Sequence, residues 1–353
     1  MDEKQLRKKT IIRRVLIGCA VAAGTTLIAV GAYAGFLANK TDSTLKKIAA
    51  NPQQVEQKQQ TNEAVPDLSD EDKRLLKPMT LLLSGIDSRD GSGGTINTDV
   101  MMLASFNPDT RSASILSVPR DLRIESDQGS DHKANYYYAH NFLKDKTTAM
   151  ENTKQFFSEL FEVPIDYMVM IDFDGLRQVV DEVGGLDIDV DMDMRYVDSA
   201  DGTDINLRKG LQHLDGKQTL DFVRYRKSNR GTAESTDPAR NHRQQMVLSQ
   251  VMDKLASFEG MTQWGNVLDI VGNNVKTDIP VDNLRNWIYN FRKLKPDRLT
   301  FLPLESDWKS PYMFANKDQL IDAFAKLREE VGGDPEKKSL SKRIGTYTGS
   351  SIN

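Results

Sequence analysis

Apolar and polar positions alternate along this chain in two rhythms, and the change from one to the other marks its elements. Runs at 81–83 (LLL), 101–106 (MMLASF) and 115–118 (ILSV) are short and bounded by Gly, Asp or Pro, which predicts three buried strands. Residues 147–161 have helical spacing, with Met150, Phe156, Phe157, Leu160 and Phe161 apolar. The run 165–171 predicts a strand. Asp174 is placed to cap a helix through Val183 that Gly184-Gly185 would end. Another strand follows at 186–190, then a short amphipathic helix at 214–222. A long helix starts at Asp237 or Pro238, with Met246, Val247, Val251, Leu255 and Phe258 as its apolar face. Further helices are expected at 281–294 and 317–331, with a strand between them at 298–302. Strands interleaved with helices predict an α/β domain over residues 78–332. The polar end, 333–353, is expected to be disordered.

Upstream the pattern changes. Residues 15–38 carry no charge over 24 positions, and about 20 helical residues cross a bilayer core. Lys4, Arg7, Lys8, Lys9, Arg13 and Arg14 precede the run, so a cytoplasmic tail (1–14), a transmembrane helix (15–38) and an external remainder are expected. A cleaved signal would have a shorter apolar region, about 7–15 residues, although Ala32-Tyr33-Ala34 resembles a cleavage site. A lipoprotein signal ending at Cys19 has the right residue types, but only four apolar residues precede it. Residues 39–77 are polar and Gln-rich and read as an external stalk, helical near 45–50.

Composition narrows the chemistry. A formal charge of −4 gives no general polyanion-binding surface, and no basic recognition segment points to nucleic acid. The lone Cys19 cannot form an internal disulfide, and four scattered histidines have no zinc-site spacing. The acidic series Asp187, Asp189, Asp191, Asp193 has a period of two, which suits the solvent face of an edge strand better than a Ca²⁺ site.

Candidate chemistry gathers at the predicted strand ends. Asp87 and Asp99 bracket a loop with Gly91, Gly93 and Gly94 at its centre, and Pro119-Arg120-Asp121 follows the third strand. Open α/β sheets place ligands at such ends. Two carboxylates suit a divalent cation and an arginine fork suits phosphoryl oxygens, while ordinary turn chemistry explains the same residues without a ligand. Arg224 and Arg226, two apart, fall on one side of an extended segment, where they either meet an anion or form a solvated basic edge. Arg240, Arg243 and Gln244 open the long helix, beside exposed N–H groups that favour an anion. Tyr136, Tyr137 and Tyr138 suit a wet pocket edge or a sugar face, with packing expected for at least two of them.

Taken together, LLLSGIDSRD, TDVMML, LSVPRD, VPIDYMVMIDFDG, VDEVGGLDIDV, KGLQHLDGKQTLDFVRYRK and DPARNHRQQMV resemble the LytR-CpsA-Psr family of membrane-anchored cell-wall enzymes. The resemblance spans roughly residues 78–260. It implies a three-layer α-β-α sandwich with a central mixed sheet, and an apolar pocket for a polyprenyl-pyrophosphate-linked glycan. It further implies transfer of a glycopolymer, such as wall teichoic acid or capsular polysaccharide, to peptidoglycan through a phosphodiester, in the cell membrane of a Gram-positive type envelope. By motif, Asp87 and Asp99 match the residues that hold Mg²⁺ (or Mn²⁺). Arg120 matches the arginine facing the pyrophosphate, and Arg224, Arg226, Arg240 and Gln244 match further anion contacts. Arg89 and Arg243 belong to the same motifs. Asp121 and the metal-binding carboxylates are the candidates for general base. This chain departs from the family at Ile96-Asn97-Thr98, where a basic residue is usual. It departs again at Lys133-Ala134-Asn135-Tyr136, where lysine-isoleucine-asparagine-histidine is usual, and in a longer loop from Arg226 to Arg240. Hydrolysis of the lipid pyrophosphate, and a non-enzymatic lipid-binding regulator, are the competing readings.

Overall fold

The structure, a computed structural model, describes residues 39–49, 77–86, 98–126, 129–199, 202–257, 264–337 and 339–349. Among these, no helix is long and apolar enough to cross a membrane. The expected span at 15–38 lies outside the described residues, as do Asp87, Arg89 and most of the stalk.

The strands in chain order are β1 (Met79–Ile86), β2 (Thr98–Asn107), β3 (Ser112–Ser117), β4 (Arg123–Glu125), β5 (Asp131–Lys133), β6 (Tyr167–Asp172), β7 (Leu186–Val190), β8 (Met194–Asp198), β9 (Thr203–Leu207) and β10 (Gly210–Leu214). They continue with β11 (Val275–Thr277), β12 (Arg298–Leu302), β13 (Ser306–Lys309), β14 (Tyr312–Asn316) and β15 (Thr346–Tyr347). Six of them form a mixed sheet in the order β11-β6-β1-β2-β3-β12. β1 runs antiparallel to β2 and parallel to β6, and β3 runs antiparallel to β2 and parallel to β12. Consequently the ends of β1, β3, β6 and β12 and the start of β2 share one edge of the sheet.

Period-two alternation sends side chains to both faces. On one face Leu82, Leu103, Leu116 and Met168 join Phe157 and Phe161 of the Ala149–Phe161 helix and Phe324 and Leu327 of the Lys317–Glu330 helix. Each such side chain, fully buried, stabilises the fold by about 1.5–3 kcal/mol. On the other face Met102, Ala104 and Ile115 are buried, but Leu83, Val100, Leu299 and Phe301 are only half-buried, under Leu248 of the Asp237–Ala256 helix. The domain is thus α/β with a central mixed sheet and helices on both faces. A second core joins the β7–β10 pair and the β8–β9 hairpin to the helices Phe173–Glu182, Gly216–Arg224 and Asp237–Ala256.

Four expectations need correction. Residues 39–48 are helical but do not act as a spacer. Leu45 and Ile48 pack on Ile279 and Leu284, Thr44 Oγ1 donates to the Leu268 carbonyl (3.1 Å), and Asp42 pairs with Arg285 (2.9 Å). Two well-placed apolar residues in a polar stretch are enough to dock it. The expected disorder of 333–353 does not hold through 349. β15 pairs with β14, Ile344 is buried against Ile124, and the Gly345 N–H donates to the Arg123 carbonyl (2.9 Å). Backbone pairing, which leaves no apolar signature, holds this end. The cap of the Phe173–Glu182 helix is Asp172, which accepts from the Asp174 N–H (2.9 Å). The expected 281–294 helix is two pieces, Val281–Tyr289 and Phe291–Leu294, parted at Asn290.

Candidate active site at the ends of the central strands

β3 continues one ladder bond beyond its end, from the Val118 N–H to the Met101 carbonyl (2.9 Å), and the chain then turns at Pro119. Two backbone bonds fix the residues after the turn. The Arg120 carbonyl accepts from the Asn135 N–H (3.0 Å), and the Asp121 carbonyl accepts from the Met313 N–H (2.8 Å). Arg120 is therefore held over the start of β2, where its Nη1 meets the Asp99 carboxylate. Its Nε donates to Asp121 Oδ2 (3.4 Å), and Lys133 Nζ reaches Asp121 Oδ1 (2.7 Å). The result is a row of alternating charge, Asp99–Arg120–Asp121–Lys133. Arg120 and Asp99 each keep about a third of the side chain exposed, at 35% and 33%. That opening suits a second anion on the guanidinium, while Asp121, 14% exposed, is enclosed between two cations. Lys133 was not among the expected site residues; the pairing of β4 with β5 brings it beside Asp121.

The hydroxyls of Ser84, Thr98 and Ser117, each more than nine-tenths buried at this edge of the sheet, have no hydrogen-bond partner among the described residues. Unpaired buried hydroxyls are costly. Together with the Asp99 carboxylate, Thr98 provides hard oxygen donors of the kind Mg²⁺ takes. Among the described residues no group of three or more His, Cys, Asp or Glu could hold a metal.

The second expected arginine pair divides. The Arg224 guanidinium lies 5.5 Å from the Phe173 ring centroid, and Phe173 opens the helix after β6. A Cβ on Gly85 would meet that ring at 3.0 Å and Val100 at 3.2 Å, so glycine lets Phe173 lie across the end of β1 and the start of β2. Arg224 thereby reaches the same edge as Asp99. Arg226 is exposed, and its carbonyl accepts from the Ser235 N–H (2.9 Å).

The Asp237–Ala256 helix starts at Thr236, whose hydroxyl caps the Ala239 N–H (3.3 Å). Two neighbouring stripes of this helix have different fates. Arg240, Gln244 and Leu248, spaced by four, form one stripe, and Leu248 packs on the half-buried sheet face. Arg243, Val247 and Val251 form the other and face the second core. Arg243 is 1% exposed and grips Asp191 with both Nε (2.8 Å) and Nη2 (2.7 Å). Phe222 and Tyr225 lie 5.6 and 5.9 Å from its guanidinium, and Nη1 donates to the Tyr225 carbonyl (3.4 Å). Burial pushes the Asp191 carboxyl up, but the Arg243 bond and charge outweigh it and hold the group below the usual carboxylate range. Arg243 is thus a fold residue, correcting the expectation that it meets substrate.

Other candidates resolve similarly. Leu186, Ile188 and Val190 are buried while Asp187 and Asp189 are exposed, so the edge-strand reading holds for these two; Asp191 and Asp193 lie past the strand, and Asp191 is held by Arg243. Tyr137 and Tyr138 are packed, and burial pushes the Tyr138 phenol up to about 12. Tyr136 stays half-buried, stacked on His132 (4.1 Å).

Against this geometry, the profile of the LytR_cpsA_psr family matches residues 36–329. A relative from Oceanobacillus iheyensis is 34% identical over 230 residues, covering 64% of this chain and 68% of its own length. It is named polyisoprenyl-teichoic acid–peptidoglycan teichoic acid transferase TagU. A protein of the same name from Bacillus licheniformis is 27% identical over 334 residues, 93% of this chain and 98% of that one. Among solved structures, protein gbs0355 from Streptococcus agalactiae shares the fold with a TM-score of 0.62 and 23% identity, over 78% of this chain and 94% of that one.

Proposed function

The chain belongs to the LytR-CpsA-Psr family, and from that premise we propose that it moves a glycopolymer of the teichoic acid class from a polyprenyl-pyrophosphate carrier to peptidoglycan. The observation that carries this reading is the Asp99–Arg120–Asp121–Lys133 row at the strand ends, beside a sheet face whose apolar residues stay half-buried. Leu83, Val100, Leu299 and Phe301 are the seat for the lipid chain, and the charged row receives its pyrophosphate. The names of the two relatives, teichoic acid transferases, support the same substrate pair.

The step is a displacement at phosphorus. A hydroxyl oxygen of the acceptor sugar attacks the sugar-linked phosphorus, and the bond from that phosphorus to the bridging oxygen breaks. Polyprenyl phosphate leaves with the electron pair, and the hydroxyl proton passes to a carboxylate, Asp121 or a metal-binding aspartate. Charge grows on the leaving phosphate, and Arg120 meets it with donors already in place. Arg224, Arg240 and Gln244 contribute from the neighbouring elements, and Arg226 and Arg89 by motif. Asp87 and Asp99 are the residues that would hold Mg²⁺ or Mn²⁺, which when bound neutralises pyrophosphate charge. The 15–38 segment anchors the protein in the cell membrane, with residues 1–14 cytoplasmic and the domain outside.

The test uses the full-length protein in nanodiscs with a lipid-linked teichoic acid precursor, peptidoglycan and Mg²⁺, followed by mass spectrometry. Polymer joined to peptidoglycan, lost in Arg120→Ala and Asp99→Asn, is the expected result. Free phosphorylated glycan alone would mean hydrolysis, and bound lipid without product would mean a binding protein.

A further inference from the structure

Among the described residues, Trp308 is the large aromatic side chain left half exposed beside the charged row, at 51%. It sits on β13, opposite Met313 of β14. That hairpin is fastened to the centre itself, through the bond from the Met313 N–H to the Asp121 carbonyl (2.8 Å) and the bridge between Leu122 and Met313. Tyr312 Oη adds a bond to the Asp131 carbonyl (3.0 Å). Lys133 Nζ, 2.7 Å from Asp121, also lies 5.6 Å from the Trp308 ring centroid. Through Lys133 the indole and the Asp121 carboxylate are therefore neighbours across one ammonium group.

The two sides of the centre differ in character. The half-buried aliphatic residues Leu83, Val100 and Leu299 lie on one sheet face. The Trp308 hairpin is joined to Leu122 and carries Ala315, and both of these belong to the core of the opposite face. A phosphoryl displacement needs the attacking and leaving oxygens roughly in line across phosphorus. With the lipid leaving toward the aliphatic face, the nucleophile must arrive from the Trp308 side. A half-exposed indole offers what a pyranose ring wants from a protein, an apolar plane against its C–H face with polar groups at the rim.

We propose that Trp308 is the platform on which a sugar ring of the acceptor glycan stacks, presenting its hydroxyl to Asp121. The proposal rests on the transferase reading and names the acceptor subsite of that same centre. Lys133 lies over the indole and pairs with Asp121, and so links platform and carboxylate.

Two measurements on the full-length protein in nanodiscs test it. In the first, transfer is followed against acceptor concentration at fixed lipid-linked donor, and then the reverse, for wild type, Trp308→Ala and Trp308→Phe. The expected result is a rise of about tenfold in acceptor KM for Trp308→Ala, a typical worth of one lost aromatic stack. Trp308→Phe should recover most of it, and donor KM should move less than about twofold in both. An unchanged acceptor KM, or a rise confined to donor KM, overturns the proposal. The second measurement needs no turnover. Uncrosslinked peptidoglycan glycan fragments are titrated into wild type and Trp308→Phe without donor or metal, and tryptophan fluorescence is read. A saturable change in wild type that Trp308→Phe lacks supports the platform, and the same change in both overturns it. If wild type binds in this way but transfers nothing, the platform stands and the transferase reading fails.

Discussion

Two arginine–aspartate pairs in this molecule look alike in sequence and behave in opposite ways. Arg243 sends two donors to Asp191, a third to a backbone carbonyl, and lies beside the rings of Phe222 and Tyr225 with 1% of its surface exposed. Arg120 meets Asp99 and, at longer range, Asp121, and keeps about a third of its side chain open at the end of a sheet. The first pair is closed: its hydrogen-bonding capacity goes to holding the second core to the long helix. The second is poised, its charge only partly answered by neighbours that the same fold fixes. What separates structure from chemistry is therefore how much of the guanidinium is already used, not the motif in which it sits.

Removing each arginine should break the comparison in a different currency. Arg120→Ala should lower transfer about 10²–10³-fold, the usual cost of one electrostatic contact to a transition state. Unfolding free energy should change by less than about 1 kcal/mol, because the pair is open to solvent. Steady-state transfer and urea unfolding on the same sample check both halves, and a large loss of stability with normal turnover would reverse the assignment. Arg243→Ala should do the opposite. It leaves Asp191 without its partner and a hole beside two aromatic rings, a loss of about 3 kcal/mol. Donor KM should stay within about twofold of wild type below the new melting range. Arg243→Lys should recover only part of this, because a point charge cannot match both carboxylate oxygens. Melting curves of the two variants side by side decide it.

Much of this contrast can be read from the sequence, and the exceptions have physical reasons. The central strands are visible as apolar runs because both faces of the sheet are covered. Arg120, Asp121 and Asp99 converge because strand ends and motif agree. Arg243 belongs with them by motif but not by helical phase: Val247 and Val251 come after it at steps of four, and that apolar stripe already marked it as core-facing. Lys133 stands in a family-like stretch too, but its meeting with Asp121 depends on the register of the β4–β5 pair, which two short polar strands do not announce. The docking of the 39–48 helix, though not its helicity, and β15 were missed for a shared reason. Each is attached by one or two apolar residues and by backbone or polar bonds, and composition does not register these.

The smallest effect isolates the closed pair. Asp191 has a folded pKa held below its ordinary value, near 3.9 when unfolded, because the Arg243 charge outweighs burial. Between those two values the unfolded chain binds the proton and the folded chain does not, so stability rises with pH there. The contribution is complete above about pH 4 and disappears as pH falls through the lowered folded value. Its size should stay under about 1 kcal/mol, because the Asp191 side chain is 42% exposed and water screens the attraction. Glu162, held low by Lys337 and Ser339, and Asp204, held low by Arg195, lose stability in the same window. They are common to wild type and Asp191→Asn, so the difference between the two cancels them. Denaturant unfolding from pH 7 to pH 3 should therefore show wild type more stable than Asp191→Asn at pH 7 and the gap narrowing only below about pH 4. A gap that narrows instead between pH 6 and 7 would assign the effect to a histidine, with His242, whose charge also bears on Asp191, the first to replace.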